Sequence, residues 1–180
     1  TELFKGVAVT ATSTQDVLSV AAGAAIAIKG SGLSGSAVIN IFDETTQAYI
    51  GADTLIVSYK DVRVLAYCCT ELLGFSGAVA YCGKAGIGSA ADIGLITKLT
   101  EARIDSTAKV SADLNVQVRV QSFEDVISVA ATLGFSKKVA VAVSALICIV
   151  DSTTRARLGG EVTASGSVLV QANDDADFLM

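Results

Sequence analysis

From Thr46 to Ile50 the chain alternates Thr-x-Ala-x-Ile, with Gln47 and Tyr49 in between. The alternation returns 54 residues on at Thr100-Glu101-Ala102-Arg103-Ile104, and again at Thr154-Arg155-Ala156-Arg157-Leu158. Every second residue keeps its kind while those between vary. Residues i, i+2 and i+4 of a β-strand share one face, so the pattern predicts strands with one face fixed in size and turned inward. Gln47, Glu101 and Arg155 then form an outward row. Tyr49, Arg103 and Arg157 form the next, with a cation–π contact expected between Tyr49 and Arg103.

The recurrence extends along the chain. Val7-x-Val9-x-Ala11 returns as Val62-x-Val64-x-Ala66, Val116-x-Val118-x-Val120 and Val168-x-Val170-x-Ala172. Asp16-Val17-Leu18, Glu71-Leu72-Leu73 and Asp125-Val126-Ile127 follow the first three, and then Ile39-x-Ile41, Ile93-x-Leu95 and Ile147-x-Ile149. A short closing strand is read at Ile56-x-Ser58, Val110-x-Ala112 and Val162-x-Ala164, with a two-residue deletion between Leu158 and Val162. Compact turns are expected at Lys60-Asp61, Asp113-Leu114-Asn115 and Ser165-Gly166-Ser167, whose residues suit positive φ or bond nearby backbone. Hairpin tips are expected at Lys29-Gly30-Ser31-Gly32, Gly83-Lys84-Ala85-Gly86 and Ser136-Lys137-Lys138, giving roughly five strands per unit.

Val17 to Ile28 is Ala-rich and suits a helix on propensity alone. Its third copy, Val139-Ala140-Val141-Ala142-Val143, alternates β-branched residues as strands do. Equivalent segments of a repeat share one structure, so all are read as strand. The expectation is an all-β parallel β-solenoid (β-helix) of three units of about 54 residues, spanning approximately 6-60, 61-114 and 115-166. A partial fourth unit, 167-180, adds one strand; a β-sandwich is the alternative. Such units bury little alone and gain stability by stacking.

Hydrophobic residues make up 52% of the chain and charged ones 17%, too apolar for a disordered segment. With ten aromatic residues (six Phe, four Tyr, no Trp), the interior falls to Val, Ile, Leu and Ala. A net charge of −5 without a basic stripe argues against nucleic acid as a partner. Charge-free runs such as Val17 to Ile28 and Val139 to Val150 fall short of the roughly 20 residues a membrane helix needs, so no transmembrane segment is read. Neither a signal pattern nor an initiator Met is present, which suggests a piece of a longer chain.

The cycle Val-x-Val-x-Ala, Asp-Val-Leu-Ser-Val-Ala, a Gly/Ser tip, Ile-Asn-Ile and Thr-x-Ala-Tyr-Ile-Gly resembles the repeats of giant bacterial surface proteins, the filamentous-haemagglutinin-like and leukotoxin-type filamentous adhesins. The resemblance covers residues 6 to 172 and is clearest from Gly6 to Gly51. It implies a secreted, elongated parallel β-solenoid shaft on a bacterial cell surface, with a host or cell-surface glycan or protein as the eventual partner. The cysteines depart from that pattern, because such shafts have few or none.

Those four cysteines, Cys68, Cys69, Cys82 and Cys148, read as small buried hydrophobes, with a Cys69 to Cys82 bridge (or Cys68 to Cys82) across a hairpin as the sharper alternative. No catalytic residue is assigned. Gly30-Ser31-Gly32-Leu33-Ser34-Gly35 fits a phosphate-loop spacing but lacks the βαβ setting. Serine nucleophiles have no histidine base, and Lys84 or Lys138 is a remote substitute. Asp43-Glu44, Glu124-Asp125 and Asp174-Asp175 are carboxylate pairs of the kind glycan-cleaving enzymes use, although the first varies between copies as turn residues do. Asp174, Asp175 and Asp177 are weak calcium candidates; a solvated acidic tail is the plainer reading. An unfinished solenoid exposes strand edges, so the partners expected are neighbouring repeats or copies of the same chain. The functional expectation is a non-catalytic shaft segment, with a self-assembling filament subunit as alternative and a glycan-active β-helix enzyme as a remote one.

Overall fold

The structure is a computed structural model describing residues 5–180. Its ten strands are all parallel-paired and lie in three sheets. The first sheet stacks β1 (Gly6–Ala27), β4 (Asp61–Cys82), β7 (Val116–Ser136) and β10 (Val168–Leu179), in that order. The second stacks β2 (Gly32–Ile50), β5 (Ala85–Ile104) and β8 (Val139–Leu158), and the third the short strands β3 (Leu55–Ser58), β6 (Lys109–Ala112) and β9 (Glu161–Ala164). Each circuit of the chain thus lays one strand on each sheet, as in a β-solenoid. No helix among the described residues is long and apolar enough to cross a membrane.

The ladders match residues the sequence pattern equates. Thr46 pairs with Thr100 and Thr100 with Thr154; Val7 pairs with Val62, Val62 with Val116 and Val116 with Val168. Val17 through Ala27 lies within strand β1, so the Ala-rich run is not helical. The two-residue deletion falls at a corner. Gly159 and Gly160 replace the longer turn after Ile104, Gly159 N–H donates to Ile104 O at 2.8 Å, and Val110 still faces Val162. A Cβ on Gly160 would overlap the Ala108 carbonyl, so only glycine closes the shorter corner. Side chains stack at the other corner too: Asn115 donates from its backbone N–H (3.0 Å) and its Nδ2 (3.1 Å) to Asp61 Oδ1, and its own Oδ1 accepts the Ser167 N–H at 2.9 Å.

Three expectations are corrected. Each circuit holds three strands rather than five, because the opening valine run and the run after it form one strand of 22 residues in β1 and β4. The expected hairpin tips are corners between sheets, since every strand pair is parallel and joins successive circuits. That pairing also removes the β-sandwich alternative.

The main core lies where the three sheets face one another. Val62, Val64, Val116, Val118 and Val120 from the first sheet meet Ile50, Ala102 and Ile104 from the second and Val110 from the third. A smaller cluster of Leu72, Ile96 and Val126 lies beyond it. Past that point only the two long sheets continue, as a two-layer fin ending at the corners near Lys29, Lys84 and Lys137. There the layers touch backbone to backbone. A Cβ on Gly86 would stand 3.1 Å from Phe135 O, and one on Gly134 3.1 Å from Val141 O. Only small side chains fit between layers this close.

In the fin the recurring aliphatic residues face outward rather than into the core. Ile39 and Ile41 point outward, at 64% and 70% exposure, while Val38 and Asn40 on the same strand are buried. Ile147 and Ile149 likewise stand outside at 50% and 57%. A strand offers its faces by parity, and neighbouring apolar residues leave the choice of parity to the packing.

Candidate functional site

Between the core and the fin the interior turns polar. Lys98 of β5 and Glu124 of β7 face each other with Nζ 2.6 Å from Oε1, both side chains 0% exposed. Ser122 Oγ donates to the same Oε1 at 2.6 Å, and Ser152 Oγ donates to it at 3.4 Å. Lys98 Nζ also donates to Phe123 O at 3.4 Å. One circuit away, Thr70 Oγ1 donates to Glu44 Oε2 at 3.1 Å. Strand parity assembles the group: Glu44, Lys98 and Ser152 are paired along the second sheet, as are Thr70 and Glu124 along the first. The two 2.6 Å contacts to Glu124 are short and charge-assisted, yet Glu44 Oε1 and Glu124 Oε2 are buried without a partner.

The electrostatics follow from this packing. Burial alone would lower the Lys98 ammonium, but the Glu124 hydrogen bond and the negative groups around it, with Cys68 beside it, carry it above its ordinary value. Burial pushes the Cys68 thiol up, against a smaller downward pull from Lys98. Asp174, paired with Ser122 on the next circuit, is also raised, first by burial and then by the adjacent Glu124.

The adjacent carboxylate pairs expected from the sequence are each split by the sheet. Glu44 and Glu124 point in, whereas Asp43 and Asp125 point out; Asp174 shares the inward side, and Asp175 the outward. Glu44 and Glu124 are instead buried together in the interior, and Asp174, exposed at the open end of the stack, lies on the same inward side, a grouping that needs the register to be seen. The calcium candidates do not converge either, because Asp174 is on the opposite face from Asp175 and Asp177. Among the described residues no group of His, Cys, Asp or Glu is arranged to hold a metal ion.

All four cysteines are free. Cys69 faces outward and Cys82 inward on the same strand β4, thirteen residues apart, or roughly 43 Å along an extended chain. The expected bridge is therefore excluded, as is one from Cys68. Lys84 and Lys138 stand exposed at the fin tip, and neither ammonium group is bonded to a serine hydroxyl.

Glu101, paired in the expected row with Gln47 and Arg155, is only 4% exposed because its neighbours cover it. Glu101 accepts from Gln47 Nε2 at 3.3 Å and from Arg103 Nη1 at 3.0 Å, and Arg157 Nε lies 3.7 Å away. The Arg103 guanidinium lies 4.7 Å from the Tyr49 ring centre. Arg103 and Arg157 line a shallow open groove of about 490 Å³ beside Asp105. A second line of carboxylates was present in the repeat itself: Asp16, Glu71, Asp125 and Asp177 pair in succession along the outer face of the first sheet.

Asp92 is the odd residue inside the fin. It is 1% exposed, both carboxylate oxygens lack a hydrogen-bond partner, and it points at Gly74, where a Cβ would overlap Oδ2. A buried carboxylate without partners costs stability. Asp92→Ala is therefore expected to raise unfolding free energy by about 1–3 kcal/mol, read by urea denaturation; a loss of stability would mean that Asp92 has a stabilising partner. No family model, curated protein or solved structure matches the chain.

Proposed function

We propose that the chain is a non-catalytic shaft segment of a secreted bacterial cell-surface adhesin, built of three units of about 54 residues, 6-60, 61-114 and 115-166, with a partial fourth at 167-180. The observation that carries this reading is the continuous parallel ladder, in which equivalent residues of successive circuits are hydrogen-bonded neighbours from Gly6 to Leu179. Such a stack supplies length and stiffness, and its paired backbone resists proteases. The adhesin assignment rests on the resemblance of the repeat, and the glycan or protein bound would be met elsewhere in the parent protein or in the groove beside Arg103 and Arg157.

A tandem duplication of residues 61-114 tests the shaft. Each added circuit should lengthen the particle by about 4.8 Å at constant cross-section, measured by small-angle scattering; a change in cross-section instead would refute it. A self-assembling filament subunit is the second reading, favoured by β1 and β8, each of which has a strand neighbour on one side only. Sedimentation decides between the two: growth with concentration supports the filament, and a monomer at all concentrations supports the shaft.

A further inference from the structure

The fin inverts the usual arrangement of a water-soluble sheet, in which apolar residues face in and polar ones out. Its outer faces are apolar and its interior is small and polar. The middle circuit shows this most cleanly, because circuits lie on both sides of it. Phe75, Val79 and Tyr81 are 38%, 42% and 56% exposed on the first sheet, and Ile87 is 44% exposed on the second. Ser76, Ala78 and Ala80 occupy the inside of the first of those sheets, and Gly88, Ala90 and Asp92 that of the second. The hydroxyls of Ser34 and Ser76 and the amide nitrogen of Asn40 are buried without partners.

The apolar band has sharp limits. On the first sheet no charged residue faces outward between the Asp16, Glu71 and Asp125 row and the tip. On the second, the band runs from the tip to just before Asp43 and Asp151. It spans 8 to 10 residues of extended strand, or roughly 26–33 Å, against about 30 Å for the hydrocarbon layer of a bilayer. Tyr81 and Phe135 are the last outward residues before the tip, where interfacial aromatics belong. Lys29, Lys84, Lys137 and Lys138 lie beyond them, suited to phosphate headgroups.

We propose that the fin is a lipid-embedded element whose two outer faces contact acyl chains while its tip lysines meet the headgroups of the far leaflet. Apolar-out, polar-in alternation over this length is the pattern of membrane-spanning strands. Backbone groups of the middle circuit are paired on both sides by the ladders, as lipid requires. A second copy packed on the fin would cover one face and leave the other bare, whereas lipid covers both. The outermost strands have unpaired edges among the described residues, so embedding goes together with pairing of those edges by further circuits or further copies.

Flotation with vesicles of phosphatidylcholine and a minority of phosphatidylglycerol tests this. The chain should float with the vesicles, and Val79→Asp combined with Ile87→Asp should lower the bound-to-free ratio by about tenfold or more. Both positions face outward, so a folded variant is expected and is checked by circular dichroism. Gln117→Asp, outside the band, carries added charge and should float as the parent does. Val79→Trp, in a chain without tryptophan, should be quenched by lipids brominated near mid-chain. Absence of flotation, or equal flotation of the band variant, would overturn the proposal. So would a chain that self-associates in solution, becomes monomeric on the band substitutions and never binds vesicles, since the fin would then belong to a second copy.

Discussion

Lys98→Met is expected to cost about 3–5 kcal/mol of unfolding free energy, because it leaves Glu124 buried with no cation opposite it. The figure reflects a stranded charge more than the value of the pair itself. Glu124→Gln added to Lys98→Met should therefore recover most of the loss. Urea denaturation of the two variants checks both statements, and a single variant within 1 kcal/mol of the parent would contradict them. The sign of the pH effect follows from the same contact. Lys98 holds its proton more tightly folded than unfolded, so its contribution is full below the unfolded value of 10.5 and is lost as pH rises through the folded one. Cys68 acts in the same direction above its unfolded value of 9.0, because burial favours the neutral thiol. The parent should thus weaken in strong alkali, and the Lys98→Met chain should show less of that fall.

Leu72→Ala is the second large effect. Leu72 is 1% exposed and packs with Ile96 and Val126 in the small cluster that joins the main core to the fin. Truncation removes buried methyl groups and leaves a cavity, at about 2–5 kcal/mol. The strands hydrogen-bonded on either side, with Val17 and Val126 next to Leu72, limit collapse into the space. The equivalent change on the outer face, at half-buried Leu73, opens no enclosed cavity and should cost markedly less. If the two substitutions cost the same, the inward assignment of Leu72 is wrong. Leu72 and Leu73 are adjacent and chemically identical, so their difference in effect is a direct reading of strand parity.

That parity is where the sequence stops being informative. The period was legible because Thr46, Thr100 and Thr154 repeat with their alternate neighbours, and the ladders pair them in just that way. The helix-or-strand ambiguity at Val17 to Ile28 was also resolvable from the sequence, through the β-branched alternation of its counterpart from Val139 to Val143. The orientation of the fin was not. Ile39 and Ile41 look like core residues, but Val38 and Asn40 take the inward positions of that strand, and nearer the tip the layers admit only small side chains. The Lys98–Glu124 contact was equally hidden, since it joins residues from different sheets with no shared motif. Adjacent carboxylates drew attention in the sequence, yet a strand sends neighbours to opposite faces and so separates Glu124 from Asp125.

The glycine corner at Gly159 and Gly160 bears on how such a chain can change over generations. It absorbs a loss of two residues while the pairing on either side, Ile104 with Leu158 and Val110 with Val162, remains intact. Losing one residue within β5 would do the reverse, turning every later side chain of that strand to the other face and burying Arg103 while ejecting Ile104. Gene variants that alter length should therefore accumulate at corners and be purged from strands, leaving long rods of unequal circuits with unbroken ladders.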